Sequence, residues 1–460
     1  HNAHRRQRQM CIRDRLGATR PAKAVSKALR PPAPAPLTML RAAPTEECPR
    51  PPAATSPPAI DALLRDQWGR ITDGNVTDCD AAASLFLHHY RRFCHSASPP
   101  ALPAHTGPAV EQIMQADKHS SASMDGWSGG DVSLLSPLVC ALLARLFQAI
   151  ENGAPWPSAS LHIRAVSLPK GAADTENPLS YRIIKVASIL YRRWGTLRLG
   201  HLRPWILSWS HAAHFAGVPG RSATDAWYTS SLDLEHARLT GTPACAASVD
   251  IFKCFDQVNR PLIYQLAAMA GLPLGILAPY RTYLETSQAH FQFGKYIGLP
   301  HRTKTSIPQG CPFSMVMIAL LTLPWIHLMQ SATARPRVLA DDLLFTAIGE
   351  DCDAVLAHAF RLTADFMDRA GARLALPTKD KLGKCFVCAA DTATRDRIRR
   401  YTWGSDKVSL PVLNTFRDLG SHMNVSCRVD GATLSARITS ALTSLGRLRH
   451  MPIPRAHKVT

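Results

Sequence analysis

The chain has 460 residues, with 53 Lys and Arg against 34 Asp and Glu, so its formal charge is +19. At 46% hydrophobic residues it can build ordinary globular cores, which excludes a wholly disordered chain, and its length allows about three domains. No uninterrupted apolar run reaches the roughly 18 residues of a membrane span, and the positive surplus asks instead for an anionic partner, with nucleic acid first.

Residues 1–60 hold 11 of the 35 prolines and a net charge of +8, which predicts a disordered, basic, Pro/Ala-rich tail. Inside it, Met10-Cys11-Ile12-Arg13-Asp14-Arg15 resembles what one frame of a transposase sequencing adapter encodes. Residues 1–15 are therefore expected to be foreign to the gene, and genomic reads running unbroken through these codons would overturn that. Asp61–Trp68 and Ala81–Phe93 have helical apolar spacing, and residues 61–119 read as a helical N-terminal extension interrupted by a Pro/Ser/Ala linker at 95–109. A helix is predicted from Leu134 to Ile150, stopped by Glu151-Asn152-Gly153, then a strand over Ile163–Leu168 that ends on Pro169-Lys170. Tyr181–Leu202 is predicted as one basic amphipathic helix carrying Arg182, Lys185, Arg192, Arg193 and Arg198, with Arg192-Arg193 either a solvated face or a template contact.

Cys245–Val249 reads as a buried strand that ends on Asp250. Asn259-Arg260-Pro261 looks like a helix start, with Leu262–Ala270 as its body and Gly271 as its stop. Phe313–Met329 is apolar but broken by Ser314, Thr322, Pro324 and His327, as in a buried helix. Arg337–Phe345 sets Asp341 and Asp342 between two apolar runs, which suits a β-hairpin with both acids at its turn, and Val355–Ala370 is a helix capped by Gly371. Cys385-Phe-Val-Cys388 is a lone CxxC, better read as a strand with buried thiols than as a zinc site, and the scattered cysteines suit a reducing compartment. Hairpin and crossover signals together predict an α+β fold.

Acids at the ends of buried strands are costly unless compensated, and the usual compensation for clustered carboxylates is a divalent metal. If the strand ending on Asp250 neighbours the hairpin, the three carboxylates Asp250, Asp341 and Asp342 converge. Two ions about 3.5–4 Å apart could then clamp the oxygens of a phosphoryl transfer.

Asp250-Ile-Phe-Lys-Cys-Phe255-Asp256, Ser306-Ile-Pro-Gln309-Gly310-Cys-Pro-Phe-Ser314 and Leu339-Ala-Asp341-Asp342 occur in this order, separated by about 50 and then about 30 residues. They resemble the palm motifs of reverse transcriptases, most closely the non-LTR retrotransposon and group II intron kind. Leu168-Pro169-Lys170 and Tyr181-Arg182-Ile-Ile resemble the fingers motifs of that family, and Gly217-Val-Pro-Gly220-Arg221-Ser222-Ala-Thr-Asp225 its connecting segment. Ala370-Gly371 through Lys379 and Lys381 resembles the lysine-bearing palm motif, and Phe416-Arg-Asp-Leu419-Gly420 the primer grip.

The resemblance implies a right-hand polymerase. Fingers and palm would occupy residues 120–425, with an antiparallel palm sheet backed by helices, and residues 426–460 would start a truncated thumb. It implies RNA-templated DNA synthesis with two Mg²⁺ or Mn²⁺ ions, an RNA template, a DNA primer and dNTPs as partners, and no membrane. Asp250 and Asp341 would hold metal, with Asp342 supporting the metal or the primer 3′-OH. Lys170 and Arg182 would grip the triphosphate, Phe255 would gate against a 2′-OH, and Gln309 and Gly310 would line the nucleotide pocket. Either Lys379 or Lys381 would protonate the leaving pyrophosphate, and Leu419 and Gly420 would grip the primer. Leu339 stands where the family usually has an aromatic residue, and Ile183 where it usually has proline. The alternatives are an RNA-dependent RNA polymerase, against which Phe255 speaks, and an inactive, domesticated palm serving as an RNA-binding scaffold.

Overall fold

A computed structural model describes residues 37–42, 48, 51–170, 174–378, 383–404, 407–425 and 432–448. The chain divides into a larger unit, residues 36–414, and a second unit that contains residues 415–460. The strands of the larger unit are β1 (Leu40–Arg41), β2 (Ala53–Ala54), β3 (His162–Pro169), β4 (Tyr181–Val186), β5 (Ala244–Asp250), β6 (Gln288–Phe293), β7 (Tyr296–Ile297), β8 (Arg335–Leu339), β9 (Asp342–Ile348) and β10 (Phe386–Ala389). Those of the second are β11 (Thr415–Asp418) and β12 (Ser421–Asn424), followed by a helix over Ala432–Leu448.

The centre of the larger unit is an antiparallel sheet in the order β10-β5-β9-β8. Its middle strands are mostly apolar and buried, with Thr346 as a buried polar exception, as expected of strands covered on both faces. The helix Ser314–Ser331 packs against it and is buried along most of its length. Among the described residues it is the helix long and apolar enough to cross a membrane, but burial inside the fold accounts for its composition. The helix Cys352–Arg369 covers the same sheet, with Phe360 and Phe366 fully buried. The structure is mixed helix and sheet, as an α+β reading requires.

A second sheet, β4-β3-β6-β7, is mixed, with β3 parallel to β6. It carries its own small core of Ile60, Leu64, Trp68, Ala165, Tyr181, Ile183 and Phe291. Leu40 joins that core fully buried, and Arg41 pairs with Glu176 at 2.6 Å, so ordered structure begins inside the stretch expected to be a tail. The 95–109 stretch is fastened too: Ala97 N–H donates to the Met269 carbonyl, and the Pro103 carbonyl accepts from Arg198 at 2.6 Å.

The single helix expected over Tyr181–Leu202 does not form. Residues 181–186 are strand β4, and the helix runs only over Ile189–His201. Tyr181, Ile183 and Lys185 alternate inward as β4 pairs with β3, and Ser188 then starts the helix by accepting from the Leu190 N–H. Its basic face is not solvated either. Arg193 and Arg198 are buried, and Arg192 and Arg193 donate to main-chain carbonyls of Ala187, Ser121, Ala116 and Asp117, so both arginines bond within the fold.

Arg198 belongs to a buried polar node. Its guanidinium grips both oxygens of Glu151 at 2.6 and 2.5 Å, while Trp194 Nε1 (2.7 Å) and His105 Nε2 (2.8 Å) also meet that carboxylate. Burial alone would raise the Glu151 carboxyl, but bonds from His105, Arg198 and Trp194 hold it down at about 2.

In the second unit, the β11–β12 hairpin turns on Leu419 and Gly420, with φ of 47° and 84°. Two consecutive left-handed residues are what a tight two-residue hairpin loop demands. The Arg437 guanidinium donates to the Gly420 carbonyl.

Candidate active site

Strand β5 brings Asp250 to its end, where its register partner is Asp342, the first residue of β9. The β8–β9 hairpin turns through Ala340, at φ 58°, and Asp341. Burial pushes the Asp341 carboxyl up, and the charge of Asp250 adds to it, while Lys384 and Arg182 pull it down. Asp250 and Asp341 therefore share one electrostatic site.

The third acid, Asp342, lies directly across the strand pair from Asp250. Among the described residues no group of three His, Cys, Asp or Glu side chains is placed to hold a metal. Asp342 is exposed where Asp341 is half-buried. Two carboxylates still fit Mg²⁺, which is held through one or two protein carboxylates with substrate phosphates and water completing its shell.

Beneath these acids Cys254 is buried, its thiol pushed well up by burial and then by Asp341, Asp256 and Asp250. Phe255 follows in the short helix Cys254–Gln257, half-buried against the core, and its carbonyl accepts from the Ile307 N–H at 2.8 Å. That bond ties the Asp250 segment to the loop bearing Gln309 and Gly310.

The loop is bolted from three sides. Lys185 Nζ donates to Ser306 Oγ at 2.7 Å, Arg260 Nε donates to the Ser306 carbonyl at 2.9 Å, and Thr305 Oγ1 donates to the carbonyls of Asp256 and Thr72 at 2.9 Å each. Gln309 is half-buried and Gly310 exposed. A Cβ on Gly310 would lie 3.1 Å from the Lys185 carbonyl, so glycine permits this close approach.

Lys185 was not singled out as a site residue, yet the alternation of β4 turns it inward with Tyr181 and Ile183. Burial pushes its ammonium down to about 8 against the pull of Asp256, and burial raises Asp256 against Lys185, Lys253 and Lys170. Below pH 8 the buried charge costs stability. Between pH 8 and the ordinary lysine value of 10.5, the folded chain has lost the proton that the unfolded chain still holds, so stability rises with pH. Denaturant unfolding at pH 7 and pH 10 should show this gain in the parent and not in Lys185→Met. Equal pH responses would refute the buried ammonium.

Lys170 and Arg182 stand at the open end of the β3–β4 pair, where Leu168 faces Arg182 and the Lys170 N–H donates to the Ser180 carbonyl at 3.1 Å. Both residues are exposed. Partial burial nevertheless pushes the Lys170 ammonium down, Lys253 opposes this through a bond, and the charges of Lys384 and Arg182 crowd it further.

Two cations that sequence reasoning passed over complete the rim. Lys253, at φ 48°, donates to the Leu179 carbonyl at 2.8 Å and lies 4.0 Å over the Trp68 ring. Lys384 Nζ donates to both oxygens of Asp250, at 3.2 and 3.1 Å. Neither had a sequence signal, since each depends on a fold contact far along the chain. Lys379 and Lys381 lie outside the described residues. Leu419 and Gly420 belong to the second unit, at the hairpin turn described above.

The arrangement sets two adjoining carboxylates among Lys170, Arg182, Lys253 and Lys384, next to a pinned polar loop. It can hold a cation at the acids and a polyanion at the rim. Residues 168–383 match the family model for reverse transcriptase (RNA-dependent DNA polymerase), a stretch that contains the end of β3, all of β4, both acids and the Ser306–Gly310 loop. No curated protein matches the chain.

Proposed function

We propose that residues 168–383, on the strength of their reverse transcriptase family match, form the catalytic part of an RNA-templated DNA polymerase of the non-LTR retrotransposon or group II intron kind. The observation that carries this reading is the meeting of Asp250 and Asp341 in one field, faced by cations from the β3–β4 pair. The reaction is in-line attack of a primer 3′-OH on the α-phosphate of a dNTP, with pyrophosphate leaving.

Each residue then has a task. Asp250 and Asp341 would hold divalent metal, and Asp342 would support the metal or the primer 3′-OH. Metal bound there supplies Lewis-acid charge to the triphosphate oxygens. Lys170 meets the phosphates as a point charge, and Arg182 offers them a bidentate fork. Gln309 and Gly310 line the base and sugar side of the pocket, and the bonds from Lys185 and Arg260 keep that loop in place. Leu419 and Gly420 grip the primer, and Lys379 or Lys381 protonates the leaving pyrophosphate. The mixed sheet with its helices serves as fingers, the antiparallel sheet as palm, and the helix Ala432–Leu448 as the start of a thumb.

The test is primer extension on an RNA template with Mg²⁺ or Mn²⁺, comparing dNTPs with NTPs. Extension with dNTPs is the expected result, and a preference for NTPs would favour an RNA polymerase. Phe255 should set that preference by filling the space of a 2′-OH. Phe255→Val should raise UTP relative to dTTP incorporation by on the order of 10-fold or more. The ratio is insensitive to a general loss of activity, and an unchanged ratio would remove the gate.

A further inference from the structure

We infer that Lys384 is a built-in counter-cation of the palm carboxylates, which holds the place of a divalent metal at Asp250 and competes with it. The inference rests on the reading of Asp250 and Asp341 as metal ligands. Its starting point is the two-pronged contact of Lys384 Nζ with Asp250, at 3.2 and 3.1 Å, across 134 residues of sequence.

The contact is prepared by the backbone. The Ala375 N–H donates to the Asp250 main-chain carbonyl at 2.8 Å, and the Ala375 carbonyl accepts from the Lys384 N–H at 2.8 Å. Two hydrogen bonds thus fix the root of Lys384 to the strand end whose carboxylate its side chain reaches. Cys385, next in sequence, is buried against the same end and holds the following strand, β10, beside β5.

The charges point the same way. Asp250 and Asp341 repel each other within a half-buried site, and Lys384 is one of the cations that relieve Asp341. The side chain of Lys384 is 68% exposed and that of Asp250 21%, so the pair is weak, exchangeable and screened by salt. A divalent ion carries twice the charge and can sit between both acids, so it displaces the ammonium. The freed ammonium stays on the side of Lys170, whose charge it already crowds. Lys384 is a positioning residue here, acting through Asp250.

The experiment is a Mn²⁺ titration of the metal-free full chain, without nucleotide or nucleic acid, in which free Mn²⁺ is read by electron paramagnetic resonance. Lys384→Met and Lys384→Gln should bind Mn²⁺ about two- to five-fold more tightly than the parent, the scale of an exposed ion pair. Lys384→Arg should stay near the parent. The Met and Gln variants should also melt lower than the parent without metal and recover when Mn²⁺ is added. Mn²⁺ affinity in both variants equal to or weaker than the parent's, with binding still lost in Asp250→Asn, overturns the role of Lys384 and leaves the acids as ligands. Parent binding that is indifferent to Asp250→Asn overturns both.

Discussion

Asp341→Asn should reduce primer extension by on the order of 10³-fold or more while leaving template binding within about two-fold of the parent. The substitution keeps the size and polarity of a half-buried turn residue, so the hairpin between β8 and β9 has no reason to refold. What it removes is one of two charges. Burial and the neighbouring Asp250 already make the ionised Asp341 expensive, and that expense is what a bound divalent cation would relieve. With one carboxylate gone, the remaining Asp250 can be satisfied by Lys384 alone, and the drive to bind metal falls. Single-nucleotide extension, with template binding followed at the same salt concentration, separates the two effects. Residual extension near the parent rate would sink the assignment of Asp341.

The largest stability loss should come from the buried node around Glu151. Arg198→Met removes both guanidinium contacts to that carboxylate and the bond to the Pro103 carbonyl, and leaves the acid buried with only Trp194 and His105. Stranding a buried charge in this way costs about 3–5 kcal/mol, visible as a shifted midpoint in denaturant unfolding. The paired change Glu151→Met with Arg198→Met should cost less than Arg198→Met alone, because it removes the stranded charge along with its partner. A double variant at least as unstable as the single one would mean that packing, and not charge, dominates this site. The pH response carries the same signature. The Glu151 carboxyl is held from its ordinary 4.5 down to about 2 in the folded chain, so its contribution is full above pH 4.5 and fades as pH falls toward 2.

Much of this architecture was legible in the residues. An apolar run closing on an acid marked β5, a paired acid between apolar runs marked the β8–β9 hairpin, and Asn259 does cap its helix by accepting from the Leu262 N–H. The misreading of residues 181–202 has a physical cause. Arg182 and Lys185 sit three apart as on a helix face, while Tyr181, Ile183 and Lys185 alternate as in a strand, and so short a run does not separate the two periods. Only the pairing of β4 with β3 decides it. Strand adjacency does bring Asp342 opposite Asp250, but no three acids placed to hold a metal stand among the described residues, because the direction of a side chain at a turn is not written in the sequence pattern. Lys384 and Lys253 were invisible because their partners lie 134 and more than 70 residues away.

Ser306 holds a left-handed backbone, φ 91°, that a non-glycine residue adopts only at a cost of about 1–3 kcal/mol. Glycine there would relax the main chain but would leave the Lys185 ammonium without its hydroxyl acceptor. The two positions, 121 apart in sequence, are thus energetically coupled. Ser306→Gly should therefore cost less stability in a Lys185→Met background than in the parent, a coupling that a double-mutant cycle reads directly.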